Sequence, residues 1–429
     1  MSCRTLSVRR LLCLSLLLLA IAGAGPVLAG GLTLYEVGTP DVGLAAAGYA
    51  ARAQDPGTVL TNPAGMTRLS GSQLLVGGQL LYVSLELEPN SSTTTSGGNG
   101  GNAIGFLPGA SLFYTHQLSS KAAFGFGVFS NFGLGLEYDE GWAGRYYAQK
   151  AALIGMSAMP AVAFKVSDTV SLGIALNAMY GYLTDTVAIN NVNPTLKDGQ
   201  LELKDESWGF GGNAGLLWEP SPRSRFGVTY NSPLKLDFKD TPEISGLGTV
   251  VKEILARRGL LGAQVDLGVT VPQGAMASFY HQVRDDWAIL GNVGWQDWSA
   301  FGRVDVGIAT TDPRDLTVDI PYKDTWHAAL GAQHVICDPW TLNFGMAYDS
   351  SLADDAERSP ALPLGEAWRF GIGAGYKVRE SLAINFAYEF VWGGSPGLDV
   401  DRGPLAGRVA GEYADTWMSF ANVNATWKF

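Results

Sequence analysis

From about Gly71 to Phe429 the chain alternates large apolar side chains with small or polar ones, the period-two signature of strands. Leu172, Ile174, Leu176, Ala178, Tyr180 and Tyr182 share one face, while Gly173, Ala175, Asn177, Met179 and Gly181 share the other. Trp368, Phe370, Ile372, Ala374 and Tyr376 stand against Arg369, Gly371, Gly373, Gly375 and Lys377. Leu382, Ile384, Phe386, Tyr388, Phe390 and Trp392 likewise stand against Ala383, Asn385, Ala387 and Glu389. A soluble sandwich buries such an apolar face in a core. A membrane barrel turns it to lipid and keeps small and polar groups in the lumen.

The connections separate the two. Strands are expected near 71–88, 107–118, 122–133, 150–165, 169–190, 207–219, 224–239, 263–283, 286–306, 324–336, 340–352, 366–378, 381–392 and 413–429. Short turns such as Ser119-Ser120, Ser167-Asp168, Arg284-Asp285 and Arg379-Glu380 alternate with the long loops 89–106, 134–149, 191–206, 240–262, 307–323, 353–365 and 393–412. Strict short–long alternation predicts an all-β, antiparallel, up-and-down transmembrane barrel of about 14 strands, with periplasmic turns and outer loops. Trp218, Trp287, Trp295, Trp298, Trp326 and Trp417 fall near strand ends and suit an interfacial girdle. Ala421, Val423, Ala425, Trp427 and the terminal Phe429 step by two. That run reads either as the signal for the outer-membrane barrel assembly machinery or as one more amphipathic strand.

Residues 1–29 read as a secretory leader: basic Arg4, Arg9 and Arg10, an apolar run from Leu11 to Ala22, and small residues at Val27-Leu28-Ala29. The apolar run falls short of the ~18 residues a membrane helix needs. Net charge is −11, and losing those three arginines takes it to about −14, which excludes the electrostatic footprint of a nucleic-acid binder. Cys3 and Cys13 leave with the leader, so no disulfide framework is expected around Cys337.

Residues 30–70 break the alternation. Gly31 to Val37 runs into the small-residue stretch Val42 to Ala51, then the turn Asp55-Pro56-Gly57, and closes on Asn62-Pro63-Ala64-Gly65-Met66. The expected organisation is therefore a leader (1–29), an amino-terminal plug or hatch inside the lumen (30–70) and a barrel (71–429).

Plug and barrel together resemble the FadL family of outer-membrane channels for long-chain fatty acids and related hydrophobic compounds. The likeness is most specific over Asp55-Pro56-Gly57-Thr58-Val59-Leu60-Thr61-Asn62-Pro63-Ala64-Gly65-Met66, and Trp295-Gln296-Asp297-Trp298-Ser299 resembles a Trp-rich strand of the family. The resemblance implies passive uptake: capture at outer loops, an apolar lumen pocket, plug rearrangement, and lateral release through a wall opening at a kink in the third strand. Here Asn131, Phe132 and Gly133 would make that kink, or belong to an ordinary Gly-rich strand. Asn62, Pro63 and Ala64 would gate the plug, or cap it in place. In the loop 240–262, Val250, Val251, Ile254 and Leu255 share a helical face followed by Arg257 and Arg258. They would form a capture groove, with the arginines meeting a carboxylate or lipopolysaccharide phosphate, or would simply close the lid.

The partners implied are a long-chain fatty acid or another hydrophobic small molecule, outer-membrane lipid and lipopolysaccharide, and the assembly machinery through Phe429; no cofactor, metal or nucleic acid is called for. Arg369, Glu389, Asn385, Asn177 and Asn343 lie on lumen faces as candidate head-group contacts. His116, His281, His327 and His334 sit singly on strands without a nucleophile elbow or metal spacing, so no enzyme is expected. Alternatives are an aromatic-hydrocarbon channel of the TodX type, a general diffusion porin, and a structural or adhesive barrel.

Overall fold

A computed structural model describes residues 33–309 and 314–429, so the expected leader lies outside the described residues. Among these, fourteen antiparallel strands close into one barrel. They are β1 (Ser72–Ser84), β2 (Gly105–Gln117), β3 (Ala122–Glu137), β4 (Lys150–Lys165), β5 (Val170–Ile189), β6 (Gly199–Ser221) and β7 (Ser224–Asn231). The second half is β8 (Gly274–Arg284), β9 (Trp287–Gln296), β10 (Thr325–Cys337), β11 (Trp340–Asp349), β12 (Ala367–Arg379), β13 (Leu382–Gly394) and β14 (Thr416–Lys428). Neighbours in sequence pair throughout, and β1 pairs with β14 to close the ring.

The alternation falls as a lipid-facing barrel requires. Leu172, Ile174 and Leu176 are 44%, 61% and 70% exposed, whereas Gly173 and Ala175 between them are buried inside. Ile372, Phe386 and Tyr388 also face outward.

Three expected strands are interrupted at one level. Ser232-Pro233 ends β7, Pro272-Gln273 precedes β8, and Asp297 caps a turn at Trp298–Phe301 after β9. Proline brings no N–H to a ladder, so it breaks pairing there. Beyond the breaks, Leu234–Asp240, Gln264–Val271, Arg303–Ala309 and Arg314–Asp319 form a separate four-stranded sheet at the long-loop end. Trp298 consequently leaves the expected girdle. Past the capped turn strand parity is lost, and its ring is fully buried with its indole N–H donating to Gln296 at 2.8 Å. Trp295 stays on the outward face, opposite Trp326, and donates to Asp324 at 2.9 Å, while Trp218 and Trp326 remain exposed. Cys337 closes β10, beside the short turn to β11.

Residues 33–70 lie within the barrel as short turns: 3-10 segments at Pro40–Leu44 and Pro63–Arg68 and one helical turn at Thr58–Thr61. Their backbone meets inward-facing wall glycines. A Cβ at Gly345 would stand 1.8 Å from the Leu44 carbonyl oxygen, at Gly227 1.9 Å from that of Ala50, and at Gly77 1.9 Å from that of Gly38. At Gly173 it would stand 2.3 Å from the Ala64 nitrogen. The small lumen faces of the strands are thus the plug's seat.

Gly345→Val should unseat this contact while leaving the lipid-facing surface intact. Amide exchange across residues 40–52 is expected to accelerate at least roughly tenfold, about 1.4 kcal/mol of lost docking. Strand amides should keep their protection, and the unheated protein should still migrate as a folded barrel on a gel.

Candidate functional site

Asn62 joins plug to wall. Wholly buried, it donates through its amide to the Ala50 carbonyl at 2.7 Å and to the Leu216 carbonyl on β6 at 2.9 Å, and accepts from the Ala64 N–H at 3.1 Å. The last bond caps the 3-10 turn that Pro63 opens, where proline's missing N–H costs nothing. Nearby, Arg52 is buried between Asp41, at 2.7 Å, and Asp55. Burial opposes its charge, but the two carboxylates raise its affinity for the proton above the ordinary arginine value. Arg225 of β7 holds the carbonyls of Ala51 and Arg52 at 3.0 and 2.8 Å.

The amino-terminal end of the plug climbs into the long-loop half of the lumen. There Glu36 meets Arg369 of β12 at 2.6 Å. Arg369 also pairs with Asp349 of β11 and, at 3.2 Å, with Glu389 of β13, and Asp349 accepts from or shares with His327 of β10 at 2.7 Å. All five are buried, so their charges must be matched locally. Arg369 and Glu389, expected to meet a ligand head group, are instead occupied in anchoring the plug. Asn385 is likewise engaged, donating to Asn424 at 2.9 Å, and Asn343 accepts from Gln333 at 3.1 Å. Asn177 opens onto a cavity.

That cavity, about 90 Å³, lies between the plug and the level of the strand breaks, lined by Tyr35, Asn131, Phe132, Asn177, Met179 and Trp295 among others. Above it an apolar cluster gathers Phe132, Met179, Leu234, Leu236, Phe238, Trp298, Tyr322 and Leu364. Trp298, Phe301 and Tyr322 form a chain of rings there, with centroids 5.2 and 6.3 Å apart.

The strand ladder is interrupted beside Phe132. Backbone pairing between β2 and β3 stops at Leu112 and Val128, although β3 continues to pair with β4 as far as Glu137 and β2 with β1 as far as Gly105. The β3–β4 register shifts between Phe129 and Phe132, one extra residue on β3, which is a bulge. Gly133 has φ +136°, and a Cβ there would stand 2.4 Å from the Leu153 carbonyl oxygen, so glycine alone fits. Pro108 on β2 brings no N–H to the unpaired stretch.

An apolar cavity of about 160 Å³ fills this gap, lined by Leu107, Pro108, Leu134, Ile154, Leu34 and Phe132. Leu34 and Phe132 also line the inner cavity, so they form the partition between the two. Leu34 donates its N–H to the Asn131 carbonyl at 2.8 Å, and Thr33 bridges Phe132. Reading the sequence for Asn62-Pro63-Ala64 missed Leu34 and Glu36, whose positions in an irregular stretch carried no local signal.

At the long-loop end, Thr249–Arg257 is helical as expected. Val251 is buried and Leu255 half-buried, whereas Val250 and Ile254 are exposed. Arg257 reaches Glu253 at 3.4 Å, and Arg258 caps the helix.

Residues 20–426 match the family described as outer membrane protein transport protein (OMPP1/FadL/TodX). Outer membrane protein P1 of Haemophilus influenzae is 29% identical over 420 residues, covering 88% of each chain. The long-chain fatty acid transport protein of Escherichia coli O6:H1 is 25% identical over 423 residues, covering 92% of this chain and 94% of its own. The crystal structure of a Pseudomonas aeruginosa FadL homologue superposes with a TM-score of 0.84 at 20% identity, over 93% of this chain and 100% of the other.

Asn62→Ala removes three buried bonds and should weaken plug docking by about 1–3 kcal/mol. Arg369→Met leaves three buried carboxylates facing one another and should cost about 3–5 kcal/mol. Exchange of plug amides, compared with wild type at one pH, reads both, and Arg369→Met is expected to be the larger.

Proposed function

We propose that this chain, which belongs to the outer membrane protein transport family (OMPP1/FadL/TodX), is an outer-membrane channel that carries long-chain fatty acids or similar hydrophobic compounds and releases them sideways into the membrane. The observation that carries this reading is the shared partition. One apolar cavity faces the lumen, another sits in an unpaired stretch of wall, and only Leu34 and Phe132 stand in both linings.

The physical route follows. An acyl tail leaves water with a gain of roughly 0.8 kcal/mol per buried CH₂, so apolar surface alone draws it in. The exposed Val250 and Ile254 offer a first contact at the outer loops, with Arg257 and Arg258 beside them for a carboxylate or a lipopolysaccharide phosphate. The ring chain of Trp298, Phe301 and Tyr322 leads down to the lumen cavity. That cavity is far smaller than the roughly 300 Å³ or more of an ordinary ligand pocket, so a long ligand must displace the plug. The segment at Thr33-Leu34 is the part to move, because among the described residues its backbone is held to the bulge at Asn131–Gly133 by one bridge, Thr33 opposite Phe132, made through the Leu34 N–H and the Asn131 carbonyl. Its withdrawal joins the two cavities and opens the path between β2 and β3. Asn62, Pro63 and Ala64, docked on β6 through the Asn62 amide's bond to the Leu216 carbonyl, act as the anchor about which the movement occurs. Phe429, exposed just past the end of β14, is the residue we propose the barrel assembly machinery reads.

A small aromatic hydrocarbon is the second reading, favoured by the cavity's size and by the aromatic chain above it.

The test is a removable staple across the wall gap. With Gly109→Cys and Ser130→Cys together, oleate uptake by cells should fall at least about tenfold under oxidising conditions and recover on reduction, while oleate binding to the purified barrel persists throughout. Uptake indifferent to the closed staple would refute lateral release. Toluene uptake that follows the staple, with oleate neither bound nor carried, would favour the hydrocarbon.

A further inference from the structure

We infer that the lumen of this barrel takes its ligand with an uncharged head: a protonated fatty acid, a long-chain alcohol or ester, or a hydrocarbon, but not an ionised carboxylate. The inference rests on the transport reading and narrows its substrate class. Among the described residues, no lysine, arginine or histidine lines the cavity above the plug or the cavity in the wall gap. The polar groups that converge on the inner cavity are neutral amides and hydroxyls, chiefly Asn131, Asn177, Asn231, Thr229 and Ser232.

Two buried arginines lie along the route, and neither is available. Arg369 is held by Glu36, Asp349 and Glu389. Arg358, beside the apolar cluster, gives its donors to the carbonyls of Leu364, Ala353 and Gly397 and to Asp355. Recruiting either would strand the carboxylate or carbonyls it now serves. A carboxylate that left water for this lumen would therefore meet no compensating charge, and burial without a partner drives such a group to its neutral form. A hydroxyl or a protonated acid fares differently. Asn177 lines the cavity and its buried side-chain oxygen has no hydrogen-bond partner, and an amide can satisfy a neutral O–H by complementary bonds. Head-group chemistry thus selects protonation state, while the apolar walls accept the tail.

The experiment measures binding of three radiolabelled 18-carbon probes to the full-length refolded protein in amphipol. The probes are oleyl alcohol, oleic acid and oleyl sulfonate, the last anionic at every pH used. Oleyl alcohol is expected to bind equally at pH 5 and pH 8, oleic acid to weaken at least roughly tenfold at pH 8, and the sulfonate to bind at least about a hundredfold more weakly than the alcohol. Sulfonate and oleate at pH 8 binding within about threefold of the alcohol would overturn the inference. If the alcohol also fails to bind, the transport reading itself falls, and this one with it. Asn177→Lys supplies the missing cation and should bring sulfonate binding to within about tenfold of the alcohol. Asn231→Lys, at a more exposed position on the same cavity, serves if the first variant does not fold. A folded variant of either kind that still rejects the sulfonate would show that the cavity is not where the head group is read, and would overturn the assignment.

Discussion

In hydrocarbon every backbone N–H and C=O must find a protein partner, and the architecture follows from that demand. It forces the strands into a ring with no free edge, β1 against β14. It also makes the unpaired stretch between β2 and β3 conspicuous, because a gap in the ladder is a local exception to the rule. The exception is relieved from inside. The plug lends the Leu34 N–H to the Asn131 carbonyl on the bulged strand, and apolar side chains fill the rest. On its other side β3 keeps its ladder with β4 beyond the bulge as far as Glu137, so the exception is confined to one seam.

The architecture was legible in the sequence because strand alternation is a repeated, local signal. Gly173, Gly371 and Gly373 stood out as small faces, and the structure shows what they face: plug backbone, which at Gly173 and Gly371 is too close for any side chain. Pro233 and Pro272 were equally visible but were read through, since a single proline weighs little against a long alternating run. Trp298 was misplaced for a related reason. Period two places side chains only while the strand lasts, and Asp297 ends it. The ion cluster was half legible. Arg369 and Glu389 could be put on lumen faces by parity, but their partner Glu36 lies in a segment without periodicity. Asn177 alone of the lumen polar candidates reaches the cavity, and nothing local distinguished it from Asn385 or Asn343. Such discrimination depends on which strands are opposite one another across the lumen, information a single chain does not display.

The plug is held by two different kinds of contact. At the short-turn end, backbone lies on glycines and amides close the remaining bonds, as at Asn62, so the fit is steric and specific. In the long-loop half, Glu36 is held by charge among buried groups, an arrangement that is costly to break by halves. Just ahead of Glu36, at Thr33-Leu34, the contact changes again: here the plug meets the bulged strand through backbone, the Leu34 N–H on the Asn131 carbonyl.

The distribution of those anchors has a consequence for how the molecule is made. Plug residues touch early strands through Gly77 and Gly173 and late ones through Gly345 and Arg369, so no half of the barrel offers a complete seat. Seating the plug last would require a finished ring to take in Glu36 and Arg52 and match both buried charges at once. The economical order of events is for the late strands to wrap around a plug already lying on the early ones, with the β1–β14 seam closing last. The plug then serves as the former on which the cylinder is rolled, and its contacts report whether the strands have met in register.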